Sequence, residues 1–228
     1  MRELQKAGGL AIAVAIFAGL AWVWAPRLLG KAAGPDTELI TYLKVLERDG
    51  MELPVLGGTL ESTKVHFQRL TVTVDASGRR AVVLGTLDFT GKLGMTEVSS
   101  LGVEKIAFVL QGVDWKPEGT VAPRLVAVVT ALEARRRALE AGNRAALGAL
   151  SLQADAGLGD EAEQWLALLE RKLKVDAWFI RLERDEVQVS EQYRLDGFGR
   201  DRPFRSAGPR RLDLRAAGGQ FFFPNGFM

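Results

Sequence analysis

Residues 174–198 read KVDAWFIRLERDEVQVSEQYRLDGF. The stretch alternates with a period of two. Trp178, Ile180 and Leu182 take one side, Arg184-Asp185 makes a turn, and Val187, Val189, Tyr193 and Leu195 continue on the return leg. Successive side chains of a strand point to opposite faces, so two such runs around a polar turn predict an antiparallel hairpin with one buried face. After a polar loop over residues 197–203 the pattern resumes at 204–215 and 220–223, with Gly218-Gly219 as a tight turn. The chain therefore closes on an antiparallel meander.

Upstream the period changes. Between Pro123 and Ala141, the positions of Leu125, Val128, Val129, Leu132 and Leu139 follow helical spacing. Gly142-Asn143 closes that helix and caps a second over 144–150. A third helix is predicted over 161–173, with Leu166, Leu169 and Leu173 as its stripe and Trp165 beside them. The triplet Arg135-Arg136-Arg137 is placed on the solvated side of the first of these helices.

The first half reads as one helix and a β block. Asp36 is the expected N-cap of a helix running to about Arg48, with Leu39, Leu43 and Leu46 as its apolar stripe. In residues 63–74, Val65 and Phe67 share one parity and Leu70, Val72 and Val74 the other, so a bulge is expected at Gln68-Arg69. Residues 75–78 read as a turn. Residues 80–90 form the partner strand through Val83, Leu87 and Phe89, and a further turn precedes a strand over 103–115 carrying Ile106, Phe108 and Leu110. Residues 116–119 (KPEG) break the pattern. They are expected to separate a helix-plus-antiparallel-sheet domain at 36–119 from a second domain at 120–228.

RRRALEAGNRAALGAL (residues 135–150), followed by a helix and a meander ending RRLDLRAAGGQFFFPNGF (210–227), resembles the nuclear transport factor 2-like (cystatin-like) superfamily. The resemblance covers about half of the chain. It implies an α+β cone, in which a curved antiparallel sheet wraps helices around a cavity. The fold class expected is thus α+β: an N-terminal transmembrane helix, the small helix-plus-sheet domain, then the cone. The superfamily includes isomerases, cyclases and dehydratases that use a Tyr or His with acidic residues inside the cone. The resemblance makes Asp176, Trp178, Ile180 and Tyr193, with Glu191, the candidate cavity residues here. Asp176 and Trp178 are expected to share a strand face, where a carboxylate with a raised pKa would suit proton transfer. The competing expectation puts Asp176 at the sheet rim and Tyr193 in the core.

Residues 7–26, AGGLAIAVAIFAGLAWVWAP, carry no charge and lie between Lys6 and Arg27. That length suits the hydrocarbon core of a bilayer, about 30 Å thick. Ala7, Leu10, Ile12, Ile16, Phe17 and Leu20 supply the apolar body. Trp22 and Trp24 sit where indoles favour the headgroup level, and Pro26 stops the helix. The best small-x-small site, Val23-Trp24-Ala25, is followed directly by Pro26. An uncleaved signal anchor is therefore preferred to a cleaved signal peptide. The expected layout is a cytoplasmic tail at 1–6, a span at 7–26, a linker at 27–35 and the remainder outside the cytoplasmic membrane of a bacterium.

The 228 residues include no Cys and a single His, with a formal net charge of +2. Thiolate chemistry and Cys-type zinc sites are excluded, and His66 alone builds neither a triad nor a convincing metal site. The near-balanced charge argues against nucleic acid as a partner. Gly57-Gly58 and Gly218-Gly219 lack the spacing and Lys of a phosphate loop, and no cofactor is expected. The Arg-rich, Phe-rich C-terminus offers a possible partner surface: Arg210, Arg211, Phe221, Phe223 and Phe227. The function expected is non-enzymatic: a membrane-anchored scaffold or assembly component of an envelope complex, with the bilayer and other envelope proteins or further copies of itself as partners. The alternatives are a lipid or small apolar ligand carrier and an isomerase- or dehydratase-like enzyme.

Overall fold

The structure is a computed structural model and describes residues 34–152, 158–184, 186–200 and 202–224. The anchor stretch at 7–26 and Phe227 lie outside the described residues. Among the described residues no helix is long and apolar enough to cross a membrane. The chain divides into two compact units, Met1–Glu38 and Leu39–Met228, and the second holds every strand.

In chain order the elements are helix α1 (Pro35–Asp49), strands β1 (Glu52–Val55), β2 (Gly58–Val74), β3 (Arg80–Leu93), β4 (Thr96–Gln111) and β5 (Asp114–Pro117), then helices α2 (Pro123–Ala141), α3 (Arg144–Gly148) and α4 (Asp160–Leu166), and strands β6 (Leu169–Leu182), β7 (Glu186–Phe198), β8 (Pro203–Ala217) and β9 (Gln220–Phe222). The strands make one nine-stranded sheet in the order β1-β2-β3-β4-β6-β7-β8-β9, with β5 also on β4. The architecture is α+β with a curled, antiparallel-rich sheet. The blocks expected at 36–119 and 120–228 are two halves of this sheet, and residues 116–119 span the end of β5 and the loop into α2.

The halves meet where β4 and β6 run parallel, from Glu97↔Ala177 to Gly102↔Leu182. A parallel pair cannot be closed by a tight turn and needs a crossover. Here the crossover is the helical segment from α2 to α4. Residues 96–102 (TEVSSLG) contain the Ser and Gly of a loop, which is why a turn was expected before Val103. They are strand instead, because Val98 and Ser100 are buried against the core. A Cβ at Gly102 would lie 2.3 Å from the Leu182 carbonyl oxygen, so a residue without a side chain lets β6 approach.

Three further boundaries differ from the expected ones. The third helix ends at Leu166, not 173, and β6 begins at Leu169. Leu166, Leu169 and Leu173 fit helical spacing, but Leu173 is buried as a strand residue and Leu169 is exposed. Arg171 donates to the Leu166 and Leu168 carbonyls and so closes the helix end. Second, the chain turns at Gly112 (φ +67), and Trp115 pairs back with Leu110, which splits the strand expected at 103–115. Third, β1 is a short edge strand that the sequence pattern does not mark. The expected bulge is present: the β2–β3 register shifts between Gln68 and Thr71, and Arg69 has φ +52.

Helix α2 has no side chain of its own to cap its start. Glu104 of β4 reaches across and accepts from the backbone N–H of Arg124 (2.9 Å) and of Leu125 (2.8 Å). Arg124 in turn donates to the Val103 carbonyl and to that of Glu183, so it ties β4 to the end of β6. Glu104 is wholly buried, and burial pushes its carboxyl up to about 7, against the pull of the two N–H donors and of Arg124.

The sign of the resulting pH dependence is fixed by that direction. A carboxyl whose folded pKa exceeds its unfolded value takes up a proton on folding. The stability this gives is full below about 4.5 and is lost as pH rises through about 7. At about 1.4 kcal/mol per unit the swing has an upper bound of about 3 kcal/mol. Urea unfolding of wild type and Glu104→Gln between pH 4.5 and 7.5 should show the wild type losing stability relative to the variant as pH rises. Parallel curves would contradict this.

Candidate functional site

Helix α2 packs on β1, β4, β6 and β9 and closes the inward face of the sheet. The sequence placed Arg135 on its solvated side. The structure buries Arg135 completely, because the strip from Val128 and Leu132 to Leu139 that faces the sheet carries this guanidinium with it. Its Nη1 donates to both oxygens of Glu191, at 3.1 and 3.2 Å. Glu191 is likewise fully buried and accepts from Trp178 Nε1 at 3.0 Å. Trp178 and Glu191 are directly opposed in the β6–β7 register. The guanidinium also lies 5.9 Å from the Phe223 ring centroid, within reach of a cation–π contact. Burial pulls the Arg135 pKa down and Glu191 pulls it back, and a guanidinium stays charged throughout.

A second cation lies nearby. Arg210 lies over both Trp165 and Tyr193, whose rings touch each other at 5.4 Å between centroids, with its guanidinium carbon 4.2 and 4.3 Å from the two centroids. It donates to Glu161 (2.6 Å) and to the Tyr193 hydroxyl (3.0 Å), and that hydroxyl also meets Ser206 Oγ at 2.9 Å. Arg210 was expected on a partner surface, yet its side chain is only 8% exposed. Phe221 and Phe223 are buried as well. Phe223 bonds with Leu150 and Leu152 of the segment after α3. Of that predicted surface, Arg211 is exposed, paired with Asp213 at 3.2 Å.

Of the expected cavity residues, Trp178, Ile180 and Tyr193 face inward and are buried. Asp176 does not join them. The β6–β7 register skips it, with Val175 opposite Tyr193 and Ala177 opposite Gln192. This irregularity keeps both Leu173/Val175 and Trp178/Ile180/Leu182 buried and leaves the Asp176 carboxylate on the surface. Hydrogen bonds from Arg194 and then Lys174 hold that carboxyl below its usual range. It is ionised and neutralised, the opposite of a desolvated base. His66 is half-exposed, 3.3 Å from Glu47. No group of three or more His, Cys, Asp or Glu placed to hold a metal ion occurs among the described residues.

The outward face of the sheet differs. Leu84 of β3, Leu101 and Val103 of β4 and Phe179 of β6 are 44, 53, 46 and 50% exposed. Leu84 opposes Lys105, Val103 opposes Thr86, Leu101 opposes both Asp88 and Arg181, and Ser99 opposes Phe179. The four apolar side chains are therefore successive or diagonal neighbours on one face, within reach of one another. Sequence reading missed them because Leu101 lay in the supposed turn and Phe179 was hidden between Trp178 and Ile180. Strict parity from Ile180 marks Phe179 as outward.

No protein-family model matches this chain, and no curated protein matches it. Among solved structures it is similar to the Bdellovibrio bacteriovorus protein Bd1075, at 11% identity and a TM-score of 0.36, over 69% of this chain and 91% of that one. It is also similar to an Ntf2-like protein involved in plasmid conjugation, at 12% identity and a TM-score of 0.32, over 72% and 75%.

Removing one partner of a buried ion pair typically costs about 3–5 kcal/mol, because the other charge is left uncompensated. Arg135→Met should destabilise the full chain by that amount in urea unfolding. Arg135→Met with Glu191→Gln should recover more than half of it, since Gln still accepts from Trp178. Additive losses would show that the pair is not coupled.

Proposed function

We propose that this chain is a membrane-anchored, extracytoplasmic scaffold or assembly component of a bacterial envelope complex, acting through protein contacts rather than catalysis. The charge-free stretch at 7–26 supports the tether. The single observation that carries the reading is the apolar patch Leu84, Leu101, Val103 and Phe179 on the outward sheet face. Contiguous exposed apolar side chains rimmed by polar ones mark sites of protein association. Asp88, Lys105 and Arg181 provide such a rim. On the inward side the polar side chains at the centre are committed to one another, Arg135 to Glu191 and Arg210 to Glu161 and Tyr193.

A second reading has its own place in the fold. A cavity of about 340 Å³ between α2, the segment after α3 and β9 is lined mainly by Ala127, Ala131, Ala134, Leu150, Phe221 and Phe222, with Thr130 and Gln220 as its polar members. Its apolar walls suit a small apolar ligand or one lipid chain.

One purification separates the two. The tagged full chain, solubilised from membranes, should retain a protein partner in stoichiometric amount. Leu101→Thr with Phe179→Thr, which keeps strand-favouring side chains and adds no charge opposite Asp88, should reduce that recovery about tenfold while urea unfolding stays cooperative. Recovery unchanged in the variant, or a co-purifying lipid with no protein, would overturn the scaffold reading.

A further inference from the structure

Strand β2 is covered along its outer side only in part. β1 pairs with Gly58–Glu61, and the Ser62 N–H donates to the Met51 carbonyl at 3.0 Å. At Phe67 the cover is helix α1: Glu47 accepts from the Phe67 N–H at 2.5 Å, and Lys44 donates to the Phe67 carbonyl at 3.2 Å. Past the bulge, among the described residues, no strand pairs with the outer side of residues 70–74 (LTVTV). The Asp75 N–H donates to the Arg80 carbonyl at 2.9 Å. Backbone groups of an antiparallel strand alternate in direction, so Thr73 and Thr71 also turn theirs towards β3, and Val72 and Val74 turn theirs to the open edge.

An open row of N–H and C=O groups is a template for another strand, and edges that stay unpaired are guarded by Pro and by charge. β8, which β9 covers only at Arg215–Ala217, is guarded in this way. It carries Pro203 and Pro209, which have no N–H, and the exposed Arg205 and Arg211. Residues 70–74 contain no Pro, no Gly and no charge, and every one of them except Leu70 is β-branched. Leu70, Val72 and Val74 lie partly buried against the core, while Thr71 and Thr73 are exposed on the other face. The stretch is also symmetric about Val72: Leu70 mirrors Val74, Thr71 mirrors Thr73, and Arg69 mirrors Asp75 with the opposite charge. The Asp75 carboxylate already accepts from Ser77 and from the Arg79 and Arg80 N–H groups, so the end charges set direction and do not carry the contact. A parallel copy would place Arg69 beside Arg69 and Asp75 beside Asp75, whereas an antiparallel copy places each beside its opposite.

We infer that this edge pairs with the same edge of a second copy of the chain, antiparallel about a twofold axis at Val72. Val72 exchanges hydrogen bonds with Val72 of the second copy, and Val74 pairs with Leu70 of the second copy. The apolar row Leu70, Val72 and Val74 then continues across the junction on the inward side, and Thr71 faces Thr73 of the second copy on the outward side. α1, at Phe67, limits the pairing to the stretch beyond the bulge. The contact is isologous, so it closes at two copies and does not propagate. It goes beyond the scaffold reading and leaves the apolar patch on the outward face free for a different protein.

The chain has no Cys, so engineered thiols report the contact without background. In the proposed register, Thr71 and Thr73 of the two copies are directly opposed, with Cα atoms roughly 4.5 Å apart, while Thr71 and Thr71 are diagonal at roughly 7–8 Å. A disulfide spans the first separation and not the second. Full-length Thr71→Cys and Thr73→Cys chains, carrying different tags and co-expressed, are oxidised with diamide in membranes. The mixed disulfide is expected in several-fold excess over either like pair. By light scattering in detergent, the wild-type full chain should have the protein mass of two copies. Thr71→Lys with Thr73→Lys in one chain opposes like charges and should give the mass of one copy. Thr71→Lys with Thr73→Glu opposes unlike charges and should restore two, which separates a lost contact from a lost fold. Any of four results overturns the inference: a wild-type chain of one copy, like-pair disulfides as abundant as the mixed one, two copies retained in the double-Lys variant, or cross-linking of Thr71→Cys to another protein and not to Thr73→Cys. The scaffold reading is judged separately, by partner recovery with the sheet-face variant.

Discussion

The parallel contact between β4 and β6 is the constraint on which the rest of this structure depends. Every other neighbouring pair in the sheet is antiparallel. Antiparallel meanders can form locally through short turns, but a parallel register requires a long crossover that must find its place. Gly102 admits β6, Arg124 ties β4 to the end of β6, and Glu104 on the same stretch of β4 satisfies the first free N–H groups of the crossover helix. Three residues within 102–124 thus set sheet continuity, helix start and strand register together. Because one stretch serves all three, the two meanders share a single core from Leu39 to Phe223.

With α2 fixed in this way, Arg135 has nowhere to go but the interior, and the chain supplies Glu191 and Trp178 to receive it. Burying two charges costs more than their attraction returns in many proteins. Here the pair links α2 to β7 and, through Trp178, to β6. The Arg210 stack performs a similar function between α4 and β8. These polar interactions occupy the inward face of the curled sheet. The exposed apolar side chains of Leu84, Leu101, Val103 and Phe179 lie on the other, outward face.

Much of this was legible in the sequence, and the failures have physical causes. α2 is bounded by Pro123 and by Gly142 in a left-handed conformation, strong signals at both ends, and its limits were read correctly. The bulge at Arg69 showed as a change of parity. The strand over 96–102 did not show, because Ser and Gly there serve a buried seam and not a turn. Leu166, Leu169 and Leu173 fit helical spacing, but the helix ends at Leu166, and a register shift between Leu169 and Lys172 hides the strand's alternation at its start. Arg135 was misplaced because charge is a good guide to exposure except where a distant carboxylate, here 56 residues along the chain, meets it. Asp176 was read both as a neighbour of Trp178 and as a rim residue; the register irregularity beside it shifts the parity and gives it the rim position.

The central claim is that the two meanders form one cooperative body held at the β4–β6 seam. Native-state hydrogen exchange of the full chain at rising urea tests this most directly. Slowly exchanging amides of β3, such as those of Val83 and Leu87, and of β7, such as those of Val189 and Leu195, should converge on one opening free energy with one urea dependence. Exchange of the β3 amides through an opening that leaves β7 protected, or the reverse, would show two independently folding domains and would contradict the account.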